Sequence, residues 1–279
     1  MNRRNFLKTL TGGALFLKTL EVTGQTRGKH KLSKIGLQLY TVRKALAADF
    51  AGTLERVAAT GVKEVEFAGY FDRKPDEIAK ILKRLKLDSP SAHIDTKTLR
   101  GDLGPALEAA RAIGHRRIVL GYVPEPERKT LDDYKKLVEA INKAAEACRT
   151  ANLGFAYHNH DFEFRAIDGK VPYELILAET SAAVEMEIDL YWIGKAGFDP
   201  LPYFEQYPGR FPLVHVKDMD ATPKKDFTEV GRGVIDFRKI FAERKRAGFE
   251  HYYIEQDTTP GDPLASIKIS FDYLKALRF

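Results

Sequence analysis

From Lys34 onward, short apolar runs alternate with amphipathic stretches, and this alternation is what parallel strand–helix units look like in sequence. The apolar runs predict strands at Ile35–Tyr40, Glu64–Ala68, Ser89–His93, Arg117–Gly121, Phe155–His160, Val184–Leu190, Leu213–Lys217 and Tyr252–Gln256. Between them, apolar residues recur at spacings of three and four. The clearest stripe is Leu131, Tyr134, Leu137, Val138, Ile141 and Ala145, which stops before Asn152-Leu153-Gly154. Similar spacing predicts helices over 50–59, 76–85, 102–113, 173–179, 200–206, 236–247 and 264–277. Eight strand–helix pairs fit a closed barrel better than an open sheet. The expected fold class is therefore α/β, a single-domain (β/α)8 TIM barrel over residues 28–279, close to the ~250 residues usual for that fold. Segments 161–171 and 218–235 are long loops after strands five and seven, where such barrels keep their contacts with substrate.

Strand alternation also sorts the polar side chains by face. The interior set is Gln38 and Tyr40 on strand one, Glu66 on strand two, His93 on strand three and His158 with His160 on strand five. It continues with Glu185, Glu187 and Asp189 on strand six, His215 and Lys217 on strand seven, and Tyr253, Glu255 and Asp257 on strand eight. Four runs end in metal-type side chains, and these candidates, His158, Asp189, His215 and Glu255, stand 31, 26 and 40 residues apart. One ligand per strand–helix unit is how a (β/α)8 barrel builds a site at one mouth. Interior charges are costly unless paired or metal-bound. Glu187 reads as a charge paired with Lys or Arg. The convergence of two imidazoles and two carboxylates predicts one divalent metal ion, with nitrogen and oxygen donors suited to Mn²⁺, Co²⁺, Zn²⁺ or Fe²⁺.

Composition changes this picture only at the N-terminus. Asn2-Arg3-Arg4-Asn5-Phe6-Leu7-Lys8 followed by the apolar Leu10–Leu17 matches a twin-arginine export signal, so residues 1–27 are expected to be a targeting segment and the mature chain periplasmic. That segment holds five of the 45 basic residues and one of the 39 acidic ones, so the net charge of +6 falls to +2 without it. Such a balance gives no case for nucleic acid or membrane partners. No run reaches the ~18 apolar residues of a spanning helix. The lone Cys148 lies in a helical stretch and reads as a small buried residue rather than a nucleophile.

Residues 34–279 resemble the xylose-isomerase-like barrels called sugar phosphate isomerases/epimerases. The resemblance is carried by Gly36-Leu37-Gln38-Leu39-Tyr40, Val65-Glu66-Phe67, Ala92-His93, Tyr157-His158-Asn159-His160, Glu187-Ile188-Asp189, His215-Val216-Lys217-Asp218, Gly231 through Phe237, and Ile254-Glu255. In the keto-sugar epimerases of that family a Glu, an Asp, a His and a Glu on strands five to eight bind one divalent metal, and the glutamates move the proton. Asp189, His215 and Glu255 match three of these positions. His158 stands where the first glutamate would be, an arrangement similar to the His-x-His of dehydratases such as the inosose dehydratases.

The resemblance implies a metal-polarised carbonyl whose neighbouring C–H is removed through an enediolate, followed by isomerisation, epimerisation or elimination. It implies His158, Asp189, His215 and Glu255 as ligands, His160 and Glu255 as proton-transfer groups, and Lys217 as a stabiliser of oxyanion charge. Histidine is naturally poised near neutral pH for this work. Gln38, Glu66, His93, Trp192 and Arg232 are the expected contacts to a small sugar substrate. A phosphodiesterase reading, through the abasic-site endonuclease of the same superfamily, is disfavoured by the near-neutral charge and by Leu190-Tyr191-Trp192 where a further histidine would be needed. A non-catalytic sugar-binding barrel is the third reading, and the oligomeric state is unread.

Overall fold

Eight parallel strands close into a barrel in the computed structural model, which describes residues 28–279. Residues 1–27, the expected twin-arginine segment, lie outside the described residues. The barrel strands are β1 (Gly36–Gln38), β2 (Glu64–Phe67), β3 (Asp88–Ile94), β4 (Arg117–Leu120), β5 (Gly154–His158), β6 (Val184–Asp189) and β7 (Leu213–Val216). After a small antiparallel ribbon of β8 (Asp218–Met219) and β9 (Phe227–Thr228), the last barrel strand is β10 (His251–Ile254), which closes on β1 with Gly36 opposite Tyr253.

Each expected strand is present, and most stop short of the expected mouth end. The chain leaves the ladder there to feed the loops: after β1 the Gln38 side chain accepts the Tyr40 N–H at 3.0 Å and starts a 3₁₀ turn at Leu39–Val42. The expected helices form as well, with 236–247 broken into Phe237–Ala242 and Arg244–Ala247. Short helices at Arg43–Ala48, Thr96–Arg100 and Leu190–Lys195 were not expected. Two of these begin at an aspartate cap, Asp95 accepting the Thr98 N–H at 2.8 Å and Asp189 accepting those of Tyr191 and Trp192.

The outward-facing strand residues, among them Val65, Phe67, Ile118, Phe155, Ile188, Val214 and Ile254, are buried beneath the helices. The helix Leu131–Thr150 starts with a reciprocal Thr130/Asp133 cap and buries Tyr134, Leu137, Val138, Ile141, Ala145 and Cys148. Burial pushes the Cys148 thiol up to about 12, which leaves it inert as a nucleophile. No helix of the described residues is long and apolar enough to cross a membrane.

The barrel interior is layered. At the N-terminal end Arg117 Nε donates to Glu185 Oε2 at 2.6 Å, and His251 Nδ1 lies 2.8 Å from Glu64 Oε2. Val119, Ala156, Leu213 and Tyr253 form a small apolar cluster of their own. By strand alternation this cluster lies above those ion pairs, and Gln38, Glu66, His93, His158, Glu187 and His215 lie above it, toward the C-terminal ends of the strands. That end is where (β/α)8 barrels carry their chemistry.

Candidate active site and metal centre

Asp189 ends β6 and caps the helix that follows, and these two roles divide its oxygens. Oδ1 accepts the Tyr191 and Trp192 N–H groups at 2.9 Å each, while the buried Oδ2 has no well-aligned hydrogen-bond donor. Strand register sets His215 beside Asp189, and Glu255 follows β10 on the same interior face. His215 Nδ1 lies 2.8 Å from Glu255 Oε2 and 3.9 Å from Asp189 Oδ2. One donor atom from each of Asp189, His215 and Glu255 lies within 4.8 Å of the others. An oxygen met only by an ammonium, together with the mixed N/O donors, fits a divalent cation. On its other side His215 Nε2 lies 2.7 Å from Glu66 Oε2 and 3.2 Å from Glu187 Oε2. A carboxylate behind a ligating imidazole fixes which nitrogen faces the metal.

Lys217 Nζ reaches the same mouth, 3.0 Å from Asp189 Oδ2, 2.7 Å from Glu255 Oε2 and 2.9 Å from Asp257 Oδ1. Burial alone would discharge this lysine, but the three carboxylates hold it well above its usual range. Burial also works on the acids. It is outweighed at Glu255 by Lys217 and His215, which hold that carboxyl well below the usual range. At Asp189 burial prevails and lifts the carboxyl to about 6, despite Lys217 and His215.

A second donor group, His93, His158, Glu187 and His215, shares His215, with Glu187 one inward position below Asp189 on β6. Here Glu187 Oε2 sits 2.7 Å from His93 Nε2, 3.0 Å from His158 Nδ1 and 3.2 Å from His215 Nε2. This corrects the expectation that Glu187 pairs with Lys or Arg: three imidazoles surround it. Glu66 accepts from Gln38 Nε2 at 2.8 Å and from the Ser91 hydroxyl, and it faces His93 at 3.1 Å. Burial opposes a charged His93, but Glu66 and Glu187 outweigh it and raise the imidazole to about 10. His158, expected among the mouth ligands, belongs to this second group, although its Nε2 still lies 3.8 Å from Asp189 Oδ2. Both groups border the cavity, the mouth group through Glu255 and the second through His93 and His158.

That cavity measures about 920 Å³ and is walled by Tyr40, Tyr122, Phe162 and Trp192, with His93 and His160 among its polar lining. Tyr40 and Tyr122 are exposed at 41% and 49%, the rim aromatics available to a ligand. Three expected substrate contacts need correcting. Gln38 and Glu66 are fully buried and bonded to each other, so they brace the histidines instead of meeting the cavity. Arg232 pairs with Glu229 at 3.2 Å and is not part of the cavity wall, because Asp218 gathers the backbone N–H groups of Gly231, Gly233 and Ile235 and folds that loop aside.

His160 stacks on Phe162 at 5.3 Å and lies 5.4 Å from the Trp192 ring. Burial, seconded by the Lys217 charge, lowers its imidazole to about 3. It is therefore neutral and less basic than a histidine poised near pH 7. Sequence reasoning missed Glu163, wholly buried below the turn that carries His160. Glu163 accepts the Tyr157 hydroxyl at 2.7 Å and the His160 N–H at 2.8 Å. Its position in a long loop next to a predicted strand carried no periodic signal.

A family model described as xylose isomerase-like TIM barrel matches residues 54–277. Among curated proteins the chain is similar to the inosose dehydratase of Geobacillus kaustophilus, 24% identical over 176 residues, covering 54% of this chain and 57% of that one. The chain thus spans about half the length of the curated relatives it matches. Among solved structures, a sugar phosphate isomerase/epimerase from Parabacteroides distasonis is 25% identical with a TM-score of 0.75, covering 89% of this chain and 96% of the other. An IOLI protein with a bound zinc atom has a TM-score of 0.68 at 14% identity, covering 86% and 95%, a likeness of fold.

Proposed function

Because the chain belongs to the xylose isomerase-like TIM barrel family, we propose that it moves a proton next to a carbonyl of a sugar or keto-sugar, as a metal-dependent isomerase or epimerase. The observation that carries this reading is the meeting of Asp189, His215 and Glu255 donors within 4.8 Å beside an aromatic-walled cavity. These three residues would hold one divalent ion of the Mn²⁺, Co²⁺, Zn²⁺ or Fe²⁺ type, with His158 as the fourth donor. The zinc carried by the IOLI protein supports such an ion here. When bound, the ion supplies Lewis acidity toward a substrate carbonyl or hydroxyl.

The chain's own residues divide the remaining work. His160 lines the cavity and is neutral, so it is the proposed acceptor of the substrate proton, a weaker base than an exposed histidine. Glu255 provides a second acceptor, a carboxylate, at the cavity, and the Lys217 ammonium balances charge that develops on substrate oxygen. Trp192 and the rim tyrosines offer faces to a sugar ring. The export read from residues 1–27 belongs to the same proposal; joint Arg3→Lys and Arg4→Lys substitution should retain the protein inside the cell, and unchanged export would overturn it.

Solvent deuterium incorporation across a panel of keto-sugars and keto-glycosides tests the chemistry, because it reports C–H abstraction whatever the product. His160→Ala should abolish incorporation while metal content stays near normal; retained exchange would sink the base assignment. A second reading, dehydration through the same C–H abstraction, is favoured by the inosose dehydratase relatives. Appearance of an ultraviolet-absorbing unsaturated ketone, with loss of water, would select it over epimerisation.

A further inference from the structure

Lys217 and the proposed metal ion would use the same atoms. The ammonium lies 3.0 Å from Asp189 Oδ2 and 2.7 Å from Glu255 Oε2, and those oxygens flank His215 Nδ1 in the mouth donor group. Two cations cannot be seated on one pair of carboxylate oxygens, since their repulsion in a dry interior is severe. Lys217 is 2% exposed at the cavity wall, so an ammonium driven off these oxygens is best held by an anionic partner close by. Its third partner, Asp257, lies outside both donor groups and borders the cavity at 23% exposure. The faces of Trp192 and Phe227 lie 5.5 and 5.9 Å from the ammonium and offer it a cation–π wall.

Resting on the metal reading above, we propose that Lys217 and the divalent ion compete for Asp189 and Glu255, and that Asp257 is the berth that receives the displaced ammonium. Lys217 is then the resident counter-cation of the ion-free site. Once displaced, it stands on Asp257 at the cavity wall, where substrate oxygen atoms arrive. Asp257 is a positioning residue that acts on metal affinity through Lys217.

The test is a double-mutant cycle read by calorimetric titration of chelator-treated full-length protein with Mn²⁺, and by the visible spectrum of Co²⁺. Lys217→Met should tighten binding by about tenfold or more, because no ammonium has to be expelled. Asp257→Asn should weaken binding by about tenfold in the wild-type background, and by less than about twofold in the Lys217→Met background. Lys217→Gln keeps N–H donors for these oxygens without the charge and carries the same expectation if the methionine variant does not fold. An equal Asp257→Asn effect in both backgrounds overturns the berth, and unchanged or weaker binding by both Lys217 variants overturns the competition. Absence of Mn²⁺ and Co²⁺ binding in wild type and both Lys217 variants overturns the metal reading as well, which separates the two failures.

Discussion

Replacing Glu163 by glutamine should change how stability depends on pH. Glu163 is wholly buried, with one oxygen accepting the Tyr157 hydroxyl and the other the His160 N–H. Burial is the dominant influence and lifts its carboxyl from 4.5 to about 7, with the hydrogen bonds from Tyr157 and His160 opposing. An unfolded chain loses that proton near pH ~4.3. Between the two values the folded state therefore binds the proton and the unfolded state does not, so stability is lost as pH rises through the window. Roughly 2.5 units at about 1.36 kcal/mol each make the loss ~3 kcal/mol. Glutamine has no proton to lose. Urea denaturation of both proteins from pH 4.5 to 8.5 gives the difference in unfolding free energy at each pH. Wild type minus variant should fall by ~3 kcal/mol across that range, whatever its offset, because every other titrating group cancels. Parallel stability curves would refute the reasoning.

Three further outcomes follow from packing and capping. Thr130→Ala removes the side-chain half of the Thr130/Asp133 cap and should cost about 1 kcal/mol by urea denaturation, without altering metal content. Ile141→Ala opens a cavity at the centre of the buried helix stripe and should cost about 2–5 kcal/mol in the same assay. Gly121→Ala would set a Cβ 2.3 Å from His93 Nδ1, so it should cost about 1–3 kcal/mol in thermal unfolding and shift the His93 imidazole resonances.

Strand alternation made the fold legible because each barrel strand has two unlike buried faces. Val65, Ile188 and Val214 face helices, whereas Glu66, Asp189 and His215 face the interior, and a period of two separates them without any knowledge of the partners. Height within the barrel is a different matter. It depends on strand stagger, so alternation placed Glu187 inside but could not show that β5 pairs His158 beside it or that His93 reaches it across the interior. Gln38 and Glu66 were placed one level too high for the same reason. The Arg232 loop failed because its path is dictated by Asp218 through backbone hydrogen bonds, which leave no periodic trace. Two of the three short helices did leave one: Asp95 and Asp189 stand directly before them as N-caps, a readable signal.

The two ends of the barrel also differ in how they balance charge. At the N-terminal end Glu64 faces His251 and Lys34, and the half-buried Glu185 faces Arg117, so each carboxylate has a basic side chain in contact. At the open end Glu66, Glu187, Asp189, Glu255 and Asp257 are the acids in or beside the donor groups. Against them stand Lys217 and the two imidazoles that the carboxylates hold protonated, His93 and His215. His158 and His160 contribute nothing, since burial drives both toward the neutral form. Five acids against three cations leave a deficit of two charges. The two acids that burial lifts above their ordinary values, Asp189 and Asp257, are both partners of Lys217. Layers sealed by apolar side chains cannot recruit counter-ions from below, and only the cavity side is open. A divalent cation at Asp189, His215 and Glu255, with Lys217 turned onto Asp257, takes His215 as a neutral ligand and so halves this deficit, whereas a monovalent ion in the same place leaves it unchanged.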